Sequence, residues 1–161
     1  LNPALQVADA IADPLLIHGL CSKAAAREEA RRLLERVGLT PAEQFQHRLP
    51  KQLSGGQQQS VAIARALALK PKVLICDESV SMLDAEVQAD VLALLRELQQ
   101  ELCLAIVFIT HDLSVASGFC HRVMVLDKGK VVEEGPGDRI FSAPQAPISR
   151  TLVEACPRLP R

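Results

Sequence analysis

The chain predicts an α/β fold, with a parallel-sheet core flanked by helices and joined to a small helical subdomain. Three observations carry that expectation. The runs "VLICD" (73–77) and "LAIVFIT" (104–110) are almost continuously apolar, as strands covered on both faces are. Between them lies a long helical pattern, giving the strand–helix–strand order of a parallel sheet. Ahead of both, the first fifty residues read as helices joined by proline-marked connections.

In chain order, Val7, Ile11 and Leu15 have helical spacing, with a break expected near Pro14. The stretch "SKAAAREEARRLLERVGL" predicts an amphipathic helix. Ser22 caps it, Leu33, Leu34 and Val37 form its apolar stripe, and Gly38 ends it. Pro41 and Pro50 bracket a connecting segment. From Lys51 the pattern changes. A helix over about 55–69 stops at Lys70-Pro71 and leads into the first apolar strand. The helix over 85–102 carries Val87, Val91, Leu94 and Leu98 on one face. After the second strand come a short helix over 113–119 and the hairpin "RVMVLD-KG-KVVEEG", turning at Lys128-Gly129. Four prolines from Pro144 onward predict a tail running over the surface. The expected borders are 1–52 for the helical subdomain, 53–143 for the core part and 144–161 for the tail.

A chain of 161 residues fits one domain and can bury a core. With four phenylalanines and neither Trp nor Tyr, that core must be aliphatic. A net charge of −1 gives no electrostatic case for nucleic acid as a partner. The five cysteines show no C-x-x-C spacing; Cys76 and Cys103, inside apolar runs, are expected as buried thiols. An odd, unpaired count points to a reducing compartment. The longest strongly apolar run, 102–109, is far shorter than a membrane span, and no basic segment marks a secretory signal, so a cytosolic location is expected.

The chemistry-bearing residues begin with "LSGGQ". Ser54 stands at a natural N-cap, and Gln57, three residues on, completes a capping-box pattern. A helix N-terminus offers unpaired N–H groups and partial positive charge to an anion. Gly55 and Gly56 would let a phosphate approach the backbone with no Cβ in the way. Taken alone, a serine cap with a glycine turn accounts for the stretch equally well. "VLICDE" then places Asp77 and Glu78 at the C-terminal end of a strand, where α/β sheets bind ligands. One carboxylate there can hold Mg²⁺, and its neighbour can orient and deprotonate a water; two acids capping the next helix are the plain alternative. Asp84 in "SMLD" is an N-cap for the following helix that can also face a partner, and His111 in "FITHD" follows the second strand. A single His there is ordinarily structural, so its weight comes from its company.

Taken together, "LSGGQQQSVAIARALALKPKVLICDESVSMLD" and "FITHD" resemble the nucleotide-binding subunit of ABC transporters, with signature motif, Walker B, D-loop and switch histidine in order. The resemblance implies a partial P-loop NTPase fold of ABC type and two subunits that face head to tail around two ATP molecules. It implies that Ser54, Gly55, Gly56 and Gln57 contact the γ-phosphate of ATP held by the opposite subunit. Asp77 would serve Mg²⁺, Glu78 would be the general base, His111 would position the γ-phosphate, and Asp84 would link the two sites. "LNPALQVADAIADPLLIHGL" and "DRIFSAPQAPISRTLVEACPRL" are similar to the branch importing dipeptides, oligopeptides or nickel. Permease subunits, a second ATP-binding subunit and, indirectly, a substrate-binding protein are the implied partners. The implied activity is a translocase-type ATPase, peripheral on the cytoplasmic face of the inner membrane.

Several features depart from that family. Ser60 stands where members usually have Arg, Ser79 where they usually have Pro, and Ala146-Pro147-Ile148 replaces a His-Pro-Tyr-like triplet. A P-loop needs G-x-x-x-x-G-K-[ST]; the sole Gly-Lys pair, Gly129-Lys130, is followed by Val131 and has Met124 where the first Gly belongs. The glutamine loop and the adenine-stacking aromatic are also missing. With a leucine at position 1, this is the expectation for an N-terminally truncated sequence, or else for a natural remnant acting as an interface partner. A sheet without its first strands would expose apolar faces. A helix end contributes about 0.3–2 kcal/mol to an anion, whereas millimolar binding needs about 4 kcal/mol. The chain alone is therefore expected neither to bind nor to hydrolyse ATP appreciably. A soluble ABC-type ATPase acting on DNA or ribosomes is the competing reading, but no coiled-coil insertion or basic surface supports it.

Overall fold

The computed structural model describes residues 1–156. By packing, the chain divides into two compact units, one formed by Leu1–Leu74 with Met82–Val107 and the other by Ile75–Ser81 with the residues from Phe108 onward.

The first unit holds four α-helices: α1 (Val7–Ile17), α2 (Lys23–Arg36), α3 (Gly55–Leu67) and α4 (Ala85–Leu102). The helix expected to break near Pro14 does not; α1 runs through it. Proline lacks an N–H, so the Ala10 carbonyl loses its intrahelical donor, but Val7, Ala8, Ala10, Ile11, Ala12 and Leu15 are all buried and hold the segment helical. The first amides of α1, which no helix can satisfy internally, find the carbonyls of Arg48 and Gln46 at 2.9 and 3.0 Å. In α2 the Ser22 hydroxyl accepts from the Ala25 amide at 3.3 Å, as the sequence predicts. Ala26, Ala30, Leu33 and Leu34 form its buried stripe, with Ala26 and Ala30 giving close approach to its neighbours α1 and α3. Ile11, Leu34 and Val61, one from each helix, are completely buried. Exposed pairs such as Arg27–Asp9, at 3.0 Å, dress the surface and add little stability.

Helix α4 buries Val91, Leu95 and Leu98. Cys103, expected as a buried strand thiol, is instead exposed in a left-handed conformation (φ 51°) at the end of α4. The left-handed residue there lets the Leu104 amide fold back to the Gln99 carbonyl at 3.1 Å, a helix-ending geometry that outranks the apolar character of the run.

Strand β1 (Val73–Asp77) pairs with β2 (Ala105–Ile109). Ala105 donates to Lys72 and Glu78 donates to Ile109, each at 3.0 Å, so residue numbers climb together and the pairing is parallel. The expected burial on both faces is not observed. Leu74 and Cys76 are buried, but Val73 and Ile75 are 53% and 66% exposed, and Val107 and Ile109 of β2 are 48% and 47% exposed. Side chains alternate along a strand, and among the described residues only one face of each strand is covered. An apolar run records that a strand suits cover on both sides, not that this chain supplies it.

In the second unit, α5 (Leu113–Phe119) is followed by the hairpin β3 (Arg122–Asp127) and β4 (Lys130–Pro136), then α6 (Gly137–Ser142) and α7 (Pro147–Ala155). Lys128 and Gly129 both have positive φ, 49° and 76°, the mirror-image two-residue turn that suits the twist of a hairpin. The Gly-Lys pair that fails as a P-loop is thus a strand turn. Leu113, Ala116, Val123, Val125 and Ile140 form this unit's core.

The tail expected to run over the surface contains α7, which lays Ile148, Leu152 and Val153 against that core. Pro147 sits in its first turn, where a missing N–H costs nothing. The Glu133 carboxylate of β4 accepts from the amides of Gln145 and Ala146, each at 2.9 Å, and so anchors the entry to α7. The nearby Ser149 hydroxyl, which itself lacks a partner at hydrogen-bond geometry among the described residues, and the amides of Ala146 and Gln145, which do bond the carboxylate, hold the Glu133 carboxyl below its ordinary 4.5. Pro157 and Pro160, also assigned to the tail, lie outside the described residues.

Leu34→Ala should lower the unfolding free energy by about 2–5 kcal/mol in denaturant titrations, since it opens a cavity in a packed three-helix core. A loss below 1 kcal/mol would show that core to be loosely packed. Because the Glu133 carboxyl is depressed, its contribution is present above pH 4.5 and lost as the pH falls through the lower folded value. Amide protection within α7 should accordingly fall in Glu133→Gln at neutral pH, and in the parent below pH 4.5; protection unchanged in both would remove Glu133 as the anchor.

Candidate active site

The first group of site residues surrounds the mouth of α3. Ser54 and Gln57 bond reciprocally: the Gln57 amide donates to Ser54 Oγ at 3.3 Å, and the Ser54 amide donates to Gln57 Oε1 at 3.1 Å. The Gln58 amide is taken by the Ser54 carbonyl at 2.9 Å. This leaves the amides of Gly55 and Gly56, which have no acceptor among the described residues, pointing out of the helix end. Ser54 and Gly55 are exposed. The predicted capping box is therefore present, and the two amides it does not consume are those of the glycines.

Behind the glycines lies the start of α4, capped by Asp84, whose Oδ1 accepts from the Val87 amide at 3.0 Å. A Cβ on Gly55 would meet Leu83 Cδ2 at 3.0 Å, and one on Gly56 would meet Val87 Cγ1 at 2.4 Å. Sequence reasoning gave the glycines to an approaching phosphate and did not see this second claimant. The apolar spacing that put Val87 on the inner face of α4 was the available signal.

The second group lies at the C-terminal ends of β1 and β2. Asp77 is the last residue of β1 and is exposed. Glu78 follows with a left-handed backbone (φ 51°), an uncommon state for a residue with a Cβ. Its amide is held by the Ile109 carbonyl, and its own carbonyl accepts from Ser81 Oγ at 3.0 Å. These two bonds aim the side chain at His111, whose Nδ1 lies 3.0 Å from Glu78 Oε1. His111 is placed in turn by its neighbours. The Asp112 amide bonds Thr110 Oγ1 at 3.0 Å, and the Asp112 carboxylate caps α5 through the Ser114 amide at 2.9 Å. Neither Ser81 nor Asp112 was singled out from sequence, although an Asp before a helical pattern is a recognisable N-cap.

Contact between the pair shifts both groups. The hydrogen bond and charge of Glu78, with a smaller push from Asp112, raise the His111 imidazole above its ordinary 6.5. Bonding from His111, then from Ser81, holds the Glu78 carboxyl below 4.5. At neutral pH Glu78 is thus an ionised, directed carboxylate that can accept a proton from a bound water. Burial pushes up the neighbouring Cys76 thiol, with the Ser79 hydroxyl partly opposing, so Cys76 is a packing residue rather than a nucleophile. Glu78 and His111 are brought together within the second unit, and Ser54, Gly55, Gly56, Gln57 and Asp84 within the first.

Residues 1–81 match the family described as ABC transporter. The chain is 46% identical over 157 residues to the glutathione import ATP-binding protein GsiA of Pectobacterium atrosepticum, covering 98% of this chain and 25% of that relative. It is 44% identical over 161 residues to a Brucella abortus protein provisionally described as a peptide import ATP-binding protein, covering 100% of this chain and 48% of that relative. The chain therefore spans half or less of the length of these relatives. Among solved structures, a dimeric bacterial ABC transporter cassette superposes with a TM-score of 0.71 at 36% identity, over 84% of this chain and 58% of that one. A post-hydrolysis state of the same cassette, bound to ADP and Pi, gives the same values. Matched over its first half by the family and along its whole length by import ATP-binding relatives, this chain belongs to the ABC transporter family.

Proposed function

We propose that this chain is the signature-to-switch part of a subunit that binds and hydrolyses ATP to energise an importer of peptide-like cargo. The observation that carries the reading is the Glu78–His111 pair, 3.0 Å apart at the ends of two parallel strands. A directed, ionised carboxylate beside an imidazole at a sheet's C-terminal edge suits the activation of water for attack on a phosphoryl group. Peptide and glutathione import in the names of the relatives supports peptides over nickel as the cargo class.

In this reading Glu78 is the general base and His111 orients the base and the terminal phosphate. The free amides of Gly55 and Gly56, framed by Ser54 and Gln57, meet the γ-phosphate of ATP held by a second ATP-binding subunit. Asp84 faces that subunit as well as capping α4. Met82, 97% exposed just ahead of Asp84, is an apolar knob well suited to a protein surface. The dimeric cassette among the structural neighbours is consistent with such a pairing. Permease subunits would hold the assembly, peripheral, at the cytoplasmic face of the inner membrane, with a substrate-binding protein delivering cargo. No helix among the described residues is long and apolar enough to cross a membrane.

Asp77 fits a role toward Mg²⁺ as an exposed carboxylate at the strand end. In this reading one or two carboxylates, waters and phosphate oxygens would hold the ion. When bound, Mg²⁺ supplies neutralisation of phosphate charge. The domain roles read as a helical subdomain in 1–52, a catalytic part in 53–143 and a tail in 144–161.

Glu78→Gln, made in the whole protein assembled with its permease, should lower ATP turnover by about 10²–10⁴ while nucleotide binding persists. Unchanged turnover would remove Glu78 from the base role. The pair also has a pH signature. His111 is raised, so its stabilising contribution is complete below pH 6.5 and fades as the pH climbs through the folded value; Glu78 is lowered, so its contribution fades only below 4.5. Followed by NMR, the His111 ring should titrate above 6.5 in the parent and move down in Glu78→Gln. An identical midpoint in both proteins would mean that the bond does not form in solution.

A further inference from the structure

Glycine in a helix start needs a reason. In a helix interior it costs about 0.5–1 kcal/mol relative to alanine, and at Gly55 and Gly56, in the first turn, the usual justification is missing, because neither has a positive φ. The backbone of α3 would accept alanine at both positions. What would not accept it is α4. At Gly55 the obstacle is Leu83 Cδ2, the far end of a flexible side chain, at 3.0 Å. At Gly56 it is Val87 Cγ1 at 2.4 Å, and that atom cannot swing away. A β-branched side chain in a helix has one strongly preferred rotamer, and the Val87 backbone is itself held by the Asp84 cap at 3.0 Å.

We propose that Val87 is a positioning residue for the mouth of α3, with Gly56 as the socket that receives it. Seating Val87 on Gly56 sets how the free amides of Gly55 and Gly56 are presented. It also couples them mechanically to Asp84, through the Asp84 carboxylate, the Val87 amide and the Val87 side chain. This rests on the reading of the glycine amides as ATP contacts and adds to it: the Gly56 amide serves the nucleotide, whereas its missing Cβ serves the packing of its own chain. A movement of the loop ahead of α4 is then transmitted to the phosphate-facing end of α3 without passing through the nucleotide.

The geometry supplies its own control. Removing Val87 Cγ1 leaves Val87 Cβ 3.8 Å from the added methyl, an ordinary contact. Gly56→Ala, Val87→Ala and the double variant should be compared in the whole protein assembled with its permease, by thermal unfolding and by ATP turnover at saturating nucleotide. Gly56→Ala should lower Tm by about 4 °C or more, although alanine is the better helix former, and cut turnover by about tenfold. Val87→Ala alone should have a smaller effect on both but should still lower turnover; turnover equal to the parent's would overturn the positioning role. The double variant should return to the Tm and turnover of Val87→Ala. The proposal is overturned if Gly56→Ala matches the parent, if the double variant is no more stable than Gly56→Ala, or if its Tm recovers while turnover stays at the Gly56→Ala level. That last result would assign Gly56 to the nucleotide alone. A parent that turns over no ATP would refute the reading of the site as an ATPase, while the Tm cycle would still decide whether Val87 seats in Gly56.

Discussion

Parallel pairing of β1 with β2 is the constraint on which the acid–histidine site depends. Main-chain bonds at both ends of the pair, from Ala105 to Lys72 and from Glu78 to Ile109, fix the register. Two strands running the same way end on the same edge, so the residues stepping off each strand emerge as neighbours. Glu78 and His111 are far apart in sequence and meet only because of this. The Ile109–Glu78 bond does double service, closing the ladder and fixing the amide of a residue whose left-handed backbone would otherwise relax. Ser81 secures the Glu78 carbonyl and Asp112 the start of α5, so both partners of the Glu78–His111 bond are held by main-chain geometry. Directing a carboxylate this way needs no burial, and both side chains remain substantially exposed.

The mouth of α3 solves a different problem. A helix begins with four N–H groups that its own turns cannot satisfy. The capping box and the first helical bond consume those of Gln57 and Gln58, and the glycine amides remain. An ordinary helix start would leave such amides to water. Here the absence of two Cβ atoms brings the first turn of α4 close behind them, making the presenting surface stiff. Rigidity of this kind matters more than raw attraction, because a helix end by itself holds an anion only weakly.

The positions expected to depart from the family pattern have structural places. Ser60 is half-buried within α3, and Ser79 is half-buried beside Cys76. Ala146, Pro147 and Ile148 start α7: Ala146 flanks it, Pro147 occupies the first turn, and Ile148 packs on the second unit's core. The triplet therefore serves a docked helix, with Glu133 as its tether.

Sequence alone determined what depends on neighbours along the chain. The caps by Ser22, Ser54 and Asp84, the turn at Lys128-Gly129, the apolar stripe of α2 and all of that of α4 except Leu95, which is buried where Leu94 was expected, were legible, because capping, turn conformation and helical periodicity are decided within a few residues. The candidate residues were legible as motifs in order along the chain. What sequence misjudged were cases in which distant packing overrides local preference. Pro14 stays inside a helix because its neighbours are buried, and Cys103 leaves the strand because α4 needs a left-handed end. The tail folds because the core of the second unit offers α7 a seat. Only the tertiary structure decided that Glu78 bonds His111, that Val87 fills the space left by Gly56, and that one face of each apolar strand stays uncovered among the described residues. Each of these depends on which atoms of another segment arrive at a given point, and a linear pattern carries no record of that.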